Sequence, residues 1–297
     1  MKSTPRGAAV ADRSVDRAIR RDRPSGLWQA RSILTTSTSI MTAKWRGASV
    51  ESCQRWIPEE AGVALVHDAS TTAVMMATPA DLEDFGVGFS LTEGIIAHRR
   101  QIRSLEVVPT PLGIEVRLWL AGEPSENLAA RRRRLAGPTG CGLCGVDSLA
   151  EAVRSPPKVG SGLRLSAAEV HRALEELTEH QTLGAATRAV HAAGFWIPGE
   201  GLVAVREDVG RHNALDKAIG ARARADGGDV AGAVLLTSRV SVEMVQKSAM
   251  AGAQMVIAVS APTALAVRTA AEAGVTLVAI ARSDSFEVFT HPERIGG

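Results

Sequence analysis

Residues 231–281 read AGAVLLTSRVSVEMVQKSAMAGAQMVIAVSAPTALAVRTAAEAGVTLVAIA. Short apolar runs alternate in this stretch with segments whose apolar residues recur at helical spacing. The pattern predicts, in chain order, strand 231–236, helix 241–251, strand 255–259, helix 263–273 and strand 275–281. Apolar strands that alternate with helices are typical of a parallel sheet covered on both faces. The chain is therefore predicted to be an α/β protein.

A polar loop follows each of the three predicted strands. The loops are Thr237-Ser238-Arg239, Ser260-Ala261-Pro262 and Arg282-Ser283-Asp284-Ser285. Ligands of such sheets bind beside the carboxyl ends of the strands, and hydroxyl and guanidinium groups at helix N-termini suit phosphate oxygens. Three such loops on one edge favour an anionic, nucleotide-like ligand, although no Walker-type or GxGxxG loop is present. The alternative is that these side chains are ordinary helix caps and surface charges.

Residues 206–217, REDVGRHNALDK, are unusually dense in charged and hydrogen-bonding groups. Burial of so many polar groups costs desolvation free energy, which is unfavourable unless the groups form a functional site. The alternatives are that Asp208 caps a helix and that His212 is an ordinary core or surface histidine. Glu243 and Lys247, four residues apart on the next predicted helix, are expected to form an exposed ion pair.

The segment GCGLCG at residues 140–145 holds two of the three cysteines of the chain between glycines. Because glycines oppose regular helix and strand, the segment is predicted to be a mobile loop that presents a reactive thiol pair, Cys141 and Cys144. Four arginines at 131–134 would favour the thiolate if the loop folds back, and are otherwise a solvated basic segment. Cys53 is interpreted as incidental.

Composition bounds the architecture. The chain has 297 residues, 45% of them apolar, which supports a packed core. Residues 1–50 carry ten Lys or Arg against three Asp or Glu and lack apolar periodicity. The predicted organisation is a disordered basic tail (1–48), a small β-rich region with one helix capped by Thr78 (49–125), a flexible CxxC loop region (126–160) and an α/β cofactor-binding domain (161–297).

The same composition limits where the protein acts. Three cysteines do not make a disulfide framework, so a reducing cytoplasm is the expected compartment. No run approaches the ~18 apolar residues of a membrane-spanning helix. With a net charge of only +2, neither a nucleic acid nor a membrane is expected as a partner.

The motifs together resemble the FdhD family, the formate dehydrogenase accessory sulfurtransferases, over roughly residues 58 to 295. The resemblance rests on GCGLCG at 140–145, REDVGRHNALDKAIG at 206–220, RVSVEMVQKSAMAG at 239–252, then SAPTALAV and the terminal HPERI. It implies a sulfurtransferase that accepts persulfide sulfur from a cysteine desulfurase. The sulfur would pass to the molybdenum or tungsten bis(molybdopterin guanine dinucleotide) cofactor that formate dehydrogenase needs.

The resemblance also implies a fold and a set of site residues. The core is expected to be similar to the cytidine deaminase fold, three layers around a mostly parallel sheet. Cys141 would carry the persulfide and Cys144 would assist its transfer or release. The cofactor, or a guanine nucleotide at the same site, would contact Arg211, His212, Arg239 and the loop Ile280, Ala281, Arg282, Ser283, Asp284 and Ser285. Deaminase chemistry is not implied, because Gly140 stands where the zinc signature has proline before the CxxC pair.

Partners follow from the same resemblance. A cysteine desulfurase and the formate dehydrogenase apoenzyme are the expected partners. A two-fold homodimer would offer two sites to a cofactor with two guanine ends.

The chain departs from the family pattern at several positions. Thr187-Arg188-Ala189 stands where Thr-Gly-Gly is usual, and Thr237-Ser238-Arg239 where Ser-Gly-Arg is usual. The side chains of Arg188 and Ser238, in place of glycine, would narrow a ligand pocket. The 280–285 loop lacks the usual glycine and second basic residue, and His67-Asp68 replaces the usual asparagine.

Two other functions remain open from the sequence. A thiol-disulfide oxidoreductase would cycle Cys141 and Cys144 between dithiol and disulfide, but no helix N-terminus is predicted behind the pair. A metal or cofactor chaperone would grip zinc or molybdenum with both thiolates, but one CxxC supplies only two ligands.

Overall fold

The computed structural model of the protein describes residues 35–122, 155–225 and 231–296. The predicted cysteine loop with Cys141 and Cys144, the arginine run at 131–134 and residues 1–34 of the predicted tail lie outside the described residues. In the part of the chain that is described, no helix is long and apolar enough to cross a membrane.

The chain begins, in its described part, with an antiparallel hairpin that forms a two-stranded sheet of its own. Its strands are β1 (Ser37–Arg46) and β2 (Ser49–Pro58). The prediction of disorder over residues 1–48 is therefore wrong from Ser37 onward. Apolar and polar residues alternate from Ala43 to Arg46 and from Ser49 to Glu51, but the Ser, Thr and Arg content of the tail concealed this short period.

A four-stranded sheet and one helix follow. The strands are β3 (Ala61–His67), β4 (Ser70–Ala77), β5 (Ile102–Thr110) and β6 (Gly113–Leu120), in the order β4-β3-β6-β5. Helix α1 (Leu82–Thr92) packs Phe85 and Phe89 onto this sheet. Thr78 does not cap α1 as predicted, because the helix begins at Leu82, after Asp81 in a left-handed conformation.

The remaining chain forms a six-stranded mixed sheet with helices. Its order is β13-β12-β11-β10-β8-β9. The strands are β8 (His191–Ile197), β9 (Gly201–Asp208), β10 (Ala233–Leu236), β11 (Met255–Ala258), β12 (Thr276–Ala279) and β13 (Glu287–Val288). The helices are α2 (Ala167–Glu179), α3 (Thr182–Thr187), α4 (Arg211–Arg224), α5 (Val242–Met250) and α6 (Ala264–Ala273). A short ladder joins β7 (Leu165–Ser166) to β14 (Ile295–Gly296).

The prediction of a mostly parallel sheet needs correction. The β-α-β-α-β run is present, and β10, β11 and β12 are parallel. The pairs β8–β9, β8–β10 and β12–β13 are antiparallel. Strands joined by a tight turn must run antiparallel, whereas a parallel return needs a crossover such as α5 or α6.

The six-stranded sheet lies between two helical layers. Side chains on one face, such as Val234 and Leu236, pack against α4, α5 and α6. Those on the other face, such as Ala233 and Leu235, pack against α2. The protein thus has a three-layer α/β core, while a specific likeness to the cytidine deaminase fold stays a prediction.

Two glycines let helices α1 and α4 touch through their backbones. A Cβ on Gly88 would lie 1.7 Å from the Asp216 carbonyl oxygen, and one on Gly220 would lie 1.9 Å from that of Asp84. These glycines stand in helix interiors, where alanine is normally the better residue by roughly 0.5–1 kcal/mol. Close approach of the two helices explains why glycine occupies both places.

Gly220→Ala is expected to destabilise the protein by at least the ~1–3 kcal/mol typical of overpacking, because backbone atoms must move. Unfolding in urea, followed by circular dichroism, measures the change. Gly162→Ala is the matched control, since a Cβ there meets nothing within 4 Å. If Gly220→Ala proves as stable as Gly162→Ala, the close helix contact is wrong.

Candidate functional site

The loops at the carboxyl ends of β10, β11 and β12 meet on one edge of the sheet. We call residues 237–241, 260–263 and 280–285 the rim. The Val240 amide donates to the Ala261 carbonyl at 3.2 Å, and the Thr263 amide donates to Val240 at 2.9 Å. The Ile280 amide donates to the Ser260 carbonyl at 3.2 Å. These bonds join the three polar loops into one continuous surface.

The antiparallel strands bring two further segments to the rim. Because β8 runs against β10 and β9 runs against β8, β8 starts and β9 ends at this edge. The Thr237 hydroxyl accepts from the Ala192 amide at 2.9 Å, which fixes the start of β8 beside the first loop. His191 lies opposite Asp208, and α4 begins three residues later with Arg211. Within the described residues, five chain segments therefore line the rim.

His212 reaches the first turn of α5. Its Nε2 lies 3.5 Å from Glu243 Oε2, and the same oxygen accepts from the Ser241 hydroxyl at 2.7 Å. These contacts, with His212 first, lower the pKa of Glu243 from 4.5 to about 2 against the opposing effect of burial. Glu243 is thus a carboxylate at neutral pH, and the predicted exposed pair with Lys247 is wrong.

Glu243 makes the stability of the fold depend on pH in acid. A carboxyl whose pKa is depressed by folding stabilises the protein fully above its unfolded value of 4.5. That contribution is lost as the pH falls through about 2. Glu243→Gln is therefore expected to flatten the decline in unfolding free energy between pH 5 and pH 2.5, measured by urea titration. Glu51→Gln, on the exposed hairpin, serves as control, and an unchanged slope in Glu243→Gln contradicts the assignment.

His191 and Arg211 give the rim its electrostatic character. Burial, and then the positive charge of Arg211, lower the pKa of His191, while Asp208 acts in the opposite sense. The imidazole is consequently neutral at neutral pH. The Nε of Arg211 is buried and has no hydrogen-bond partner among the described residues. An uncompensated guanidinium N–H is unfavourable unless an acceptor such as a ligand oxygen completes it.

The loop after β12 has an unusual backbone. Ile280 is left-handed with φ of 53°, a conformation that β-branched residues seldom adopt and that is often found at functional sites. The Arg282 amide donates to the Ser285 carbonyl at 2.7 Å and closes a turn. The Arg282 guanidinium donates to the Val259 and Ala281 carbonyls. Ser283, Asp284 and Ser285 stay exposed, as does Arg239 on the first rim loop.

Most charges of the 206–217 segment are structural. Asp208 and Lys217 are fully buried and form an ion pair of 2.6 Å. Asp208 also accepts from the amides of Thr78 and Gly210 and from the Asn213 side chain. These bonds fasten β9 and α4 to the chain that follows β4. Within the charged segment, Arg211 and His212 lie at the rim, in the first turn of α4.

A second buried ion cluster lies between α1, α4 and α5. The Lys247 ammonium donates to Glu93 at 2.8 Å, to Asp216 at 3.0 Å and to Thr92 at 3.0 Å. Sequence reasoning missed this cluster because Lys247 stands at helical spacing from Glu243. Gln246 and Ser248, the neighbours of Lys247 on α5, are also buried, and the sequence gives no local sign of this.

The departures from the family pattern occupy distinct places. Arg188, at the end of α3, has a left-handed backbone with φ of 57°, which explains a usual glycine there. Ser238 is buried on the first rim loop and donates to the Arg239 carbonyl. Asp68 accepts from the Leu120 amide at 2.9 Å, so the His67-Asp68 pair supports the four-stranded sheet.

The described residues offer little to a metal ion. Across residues 35–122, 155–225 and 231–296, no three His, Cys, Asp or Glu side chains are grouped to hold one. Cys53 is a free cysteine on β2, and its Sγ lies 3.2 Å from the Thr42 hydroxyl.

Comparison with known proteins identifies the family. The model of the FdhD/NarQ family matches residues 58–296. The chain is 53% identical over 243 residues to the sulfur carrier protein FdhD of Agrobacterium fabrum, covering 82% of this chain and 90% of that one. It is 50% identical over 251 residues to the FdhD of Brucella abortus, covering 84% and 93%.

A solved structure shares the fold. The crystal structure of a formate dehydrogenase accessory protein from Desulfotalea psychrophila matches with a TM-score of 0.70 and 26% identity. The match covers 88% of this chain and all of that one. The chain has the fold of that structure, and by the family match and the similarity to FdhD proteins it belongs to the FdhD/NarQ family.

Proposed function

We propose that this protein is a sulfur carrier that serves the maturation of formate dehydrogenase. The observation that carries the proposal is 53% identity, over nine-tenths of its length, to a protein named as a sulfur carrier, in a chain that has the Cys141 and Cys144 pair. Family membership supplies the class of reaction. The cysteine pair supplies groups that can perform it, because the thiolate is the nucleophile in sulfur exchange.

Sulfur loading is a displacement at sulfur. The Cys141 thiolate attacks the outer sulfur of a persulfide on a cysteine desulfurase. The S–S bond of that persulfide breaks, the desulfurase cysteine leaves as a thiolate, and Cys141 holds the outer sulfur as a new persulfide. No net oxidation occurs in this step.

Sulfur delivery is the second half. The outer sulfur leaves Cys141 for the metal of a molybdenum or tungsten bis(molybdopterin guanine dinucleotide), the substrate that receives it. Cys141 returns as a thiolate, the metal supplies the two electrons that convert sulfane sulfur to sulfide, and Cys144 assists the release. A bound acceptor makes this transfer effectively unimolecular.

The rim is the proposed binding site for the guanine nucleotide ends of that cofactor. The N-termini of α4 and α5 lie at this edge without a side-chain cap at Gly210 or Ser241, and helix N-termini favour phosphate. Arg211 offers a buried Nε without a partner among the described residues, and His212 lies beside Glu243 with its Nε2 3.5 Å from Oε2. Arg239 and the loop Ile280, Ala281, Arg282, Ser283, Asp284 and Ser285 complete the proposed contacts. A free guanine nucleotide would occupy the same place.

The proposed setting is a cytoplasmic homodimer that meets two proteins in turn, a cysteine desulfurase and the formate dehydrogenase apoenzyme. A two-fold dimer would present two rims, one for each guanine end of the cofactor.

Intact mass spectrometry tests the proposal. The full chain is incubated with an active cysteine desulfurase and cysteine, and the mass is compared before and after reduction. A gain of one sulfur atom that thiol reagents remove is expected. No gain moves the assignment to a disulfide oxidoreductase, and metal retained after purification moves it to a metal chaperone.

A further inference from the structure

The β1–β2 hairpin contacts the rest of the fold where β2 packs against α3. It forms a two-stranded sheet with no third strand beside it among the described residues. The Arg55 guanidinium on β2 donates a long hydrogen bond, of 3.5 Å, to the Thr187 carbonyl at the end of α3. Two-stranded ribbons are marginally stable in water unless another layer covers them. Within the described part of the chain, no second layer covers Met41, Trp45, Val50 or Trp56, which stay exposed.

The register of the hairpin separates its side chains into two faces. Residues directly opposite each other in an antiparallel pair lie on the same face. Trp45 is opposite Val50, Met41 opposite Gln54, and Ser39 opposite Trp56. We call the face that contains these pairs the apolar face; its ten residues are Ser37, Ser39, Met41, Ala43, Trp45, Val50, Ser52, Gln54, Trp56 and Pro58.

The apolar face carries no charge, and its largest side chains are exposed to solvent. Trp45 is 68% exposed, Met41 55% and Trp56 51%. All charged residues of the hairpin are on the opposite face, namely Lys44, Arg46, Glu51 and Arg55. A contiguous exposed apolar patch with two tryptophans is characteristic of an interaction surface.

We propose that the apolar face is the surface through which two copies of this chain associate. A two-fold contact places the same surface on both sides. The apolar face suits such a contact, because an uncharged surface does not repel its own copy. The opposite face, with three basic residues and one acidic residue, would repel its copy. This inference locates the interface of the proposed homodimer and does not depend on sulfur transfer.

The exposed area is appropriate for the centre of such an interface. An aromatic side chain presents roughly 200 Å², so the two indoles offer about 240 Å² at their exposures of 68% and 51%. With Met41 and Val50, the apolar face contributes on the order of 400 Å², against about 800 Å² per partner in a standard interface. The remainder would be the polar border that surrounds an apolar centre.

A lipid bilayer is the rival occupant, and the backbone disfavours it. Among the described residues no strand pairs with the outer edge of β1 or of β2, so the amides and carbonyls of these edges need water or another partner. Burial of such edges among acyl chains is unfavourable, whereas a protein interface that covers one face leaves the edges hydrated.

The test is the mass of the full chain in solution, by light scattering after size exclusion. Met41→Asp and Trp45→Asp place a charge on the apolar face. Ile40→Asp is the matched control, since Ile40 is next to Met41, 39% exposed and on the opposite face. Wild type and Ile40→Asp are expected to be dimers. The other two variants are expected to be monomers, with the dimer dissociation constant raised at least 100-fold.

Each contrary outcome has its own meaning. Dimers that persist in Met41→Asp and Trp45→Asp overturn the interface but leave the proposed homodimer standing. A monomeric wild type overturns both and leaves sulfur loading untouched. Cosedimentation of monomeric wild type with vesicles of phosphatidylcholine and phosphatidylglycerol assigns the apolar face to membranes. Circular dichroism of every variant verifies that the body is folded.

Discussion

Cys141→Ala is expected to abolish sulfur loading, whereas Cys144→Ala should keep part of it. The proposed persulfide forms on Cys141 by attack of its thiolate, and alanine offers no nucleophile. Cys144 acts later, when the sulfur leaves, so its loss slows turnover without preventing the first transfer. Intact mass after incubation with a cysteine desulfurase and cysteine reads the loaded fraction directly.

The pattern across variants separates the possible functions. An oxidoreductase that cycles a disulfide loses activity equally with either cysteine, because both sulfurs form the bond. A sulfur carrier loses sulfur loading only when the persulfide-bearing cysteine, Cys141, is replaced. Cys53→Ala is the control, since Cys53 lies on the hairpin with its sulfur beside Thr42, and it should load like the wild type. Full loading of Cys141→Ala would move the carrier role to another cysteine.

Local pattern was enough to predict the centre of the fold. Ala233–Leu236, Met255–Ala258 and Thr276–Ala279 are short apolar runs separated by helical periods, and their connections leave few alternatives to a parallel arrangement. The convergence of the three rim loops follows from that topology. The strand ends predicted from the sequence place the three loops next to each other, where hydrogen bonds join them.

Contacts between residues far apart in the chain could not be predicted from the sequence. The antiparallel pairing of β8 with β10 depends on which edge of the parallel core β8 joins, and nothing within His191–Ile197 encodes that choice. Local periodicity likewise cannot distinguish a lysine that faces water from one that faces a buried carboxylate. Lys217 and Lys247 are both of the second kind. Glycines inside α1 and α4 were a usable sign, since Gly88 and Gly220 mark close helix packing.

Lys217→Met is expected to cost about 3–5 kcal/mol of stability, the typical effect of removing one partner of a buried ion pair. The Lys217 ammonium is 2.6 Å from Asp208 and 2.8 Å from the Thr78 carbonyl, and both side chains are fully buried. Without the ammonium, the Asp208 carboxylate stays buried and uncompensated. Its bonds to Gly210 and Asn213 hold it in place but do not neutralise it.

A double-mutant cycle measures the pair itself. Lys217→Met with Asp208→Asn removes both charges, so the double variant is expected to lose less stability than the sum of the two single variants. Unfolding in urea gives each free energy. Lys44→Met is the matched exposed control, because its ammonium lies 3.9 Å from Glu51 with 51% exposure, and such surface pairs are worth at most about 1 kcal/mol.

The same variants decide what the charged segment is for. If Asp208 and Lys217 only fasten β9 and α4 to the chain after β4, sulfur loading per folded molecule should match the wild type once the loss of stability is allowed for. If Lys217→Met instead keeps full stability and loses sulfur loading or guanine nucleotide binding, the pair belongs to the site. The rim would then extend from Arg211 along α4 into the buried interior, and the division of the segment into structural charges and site residues would be wrong.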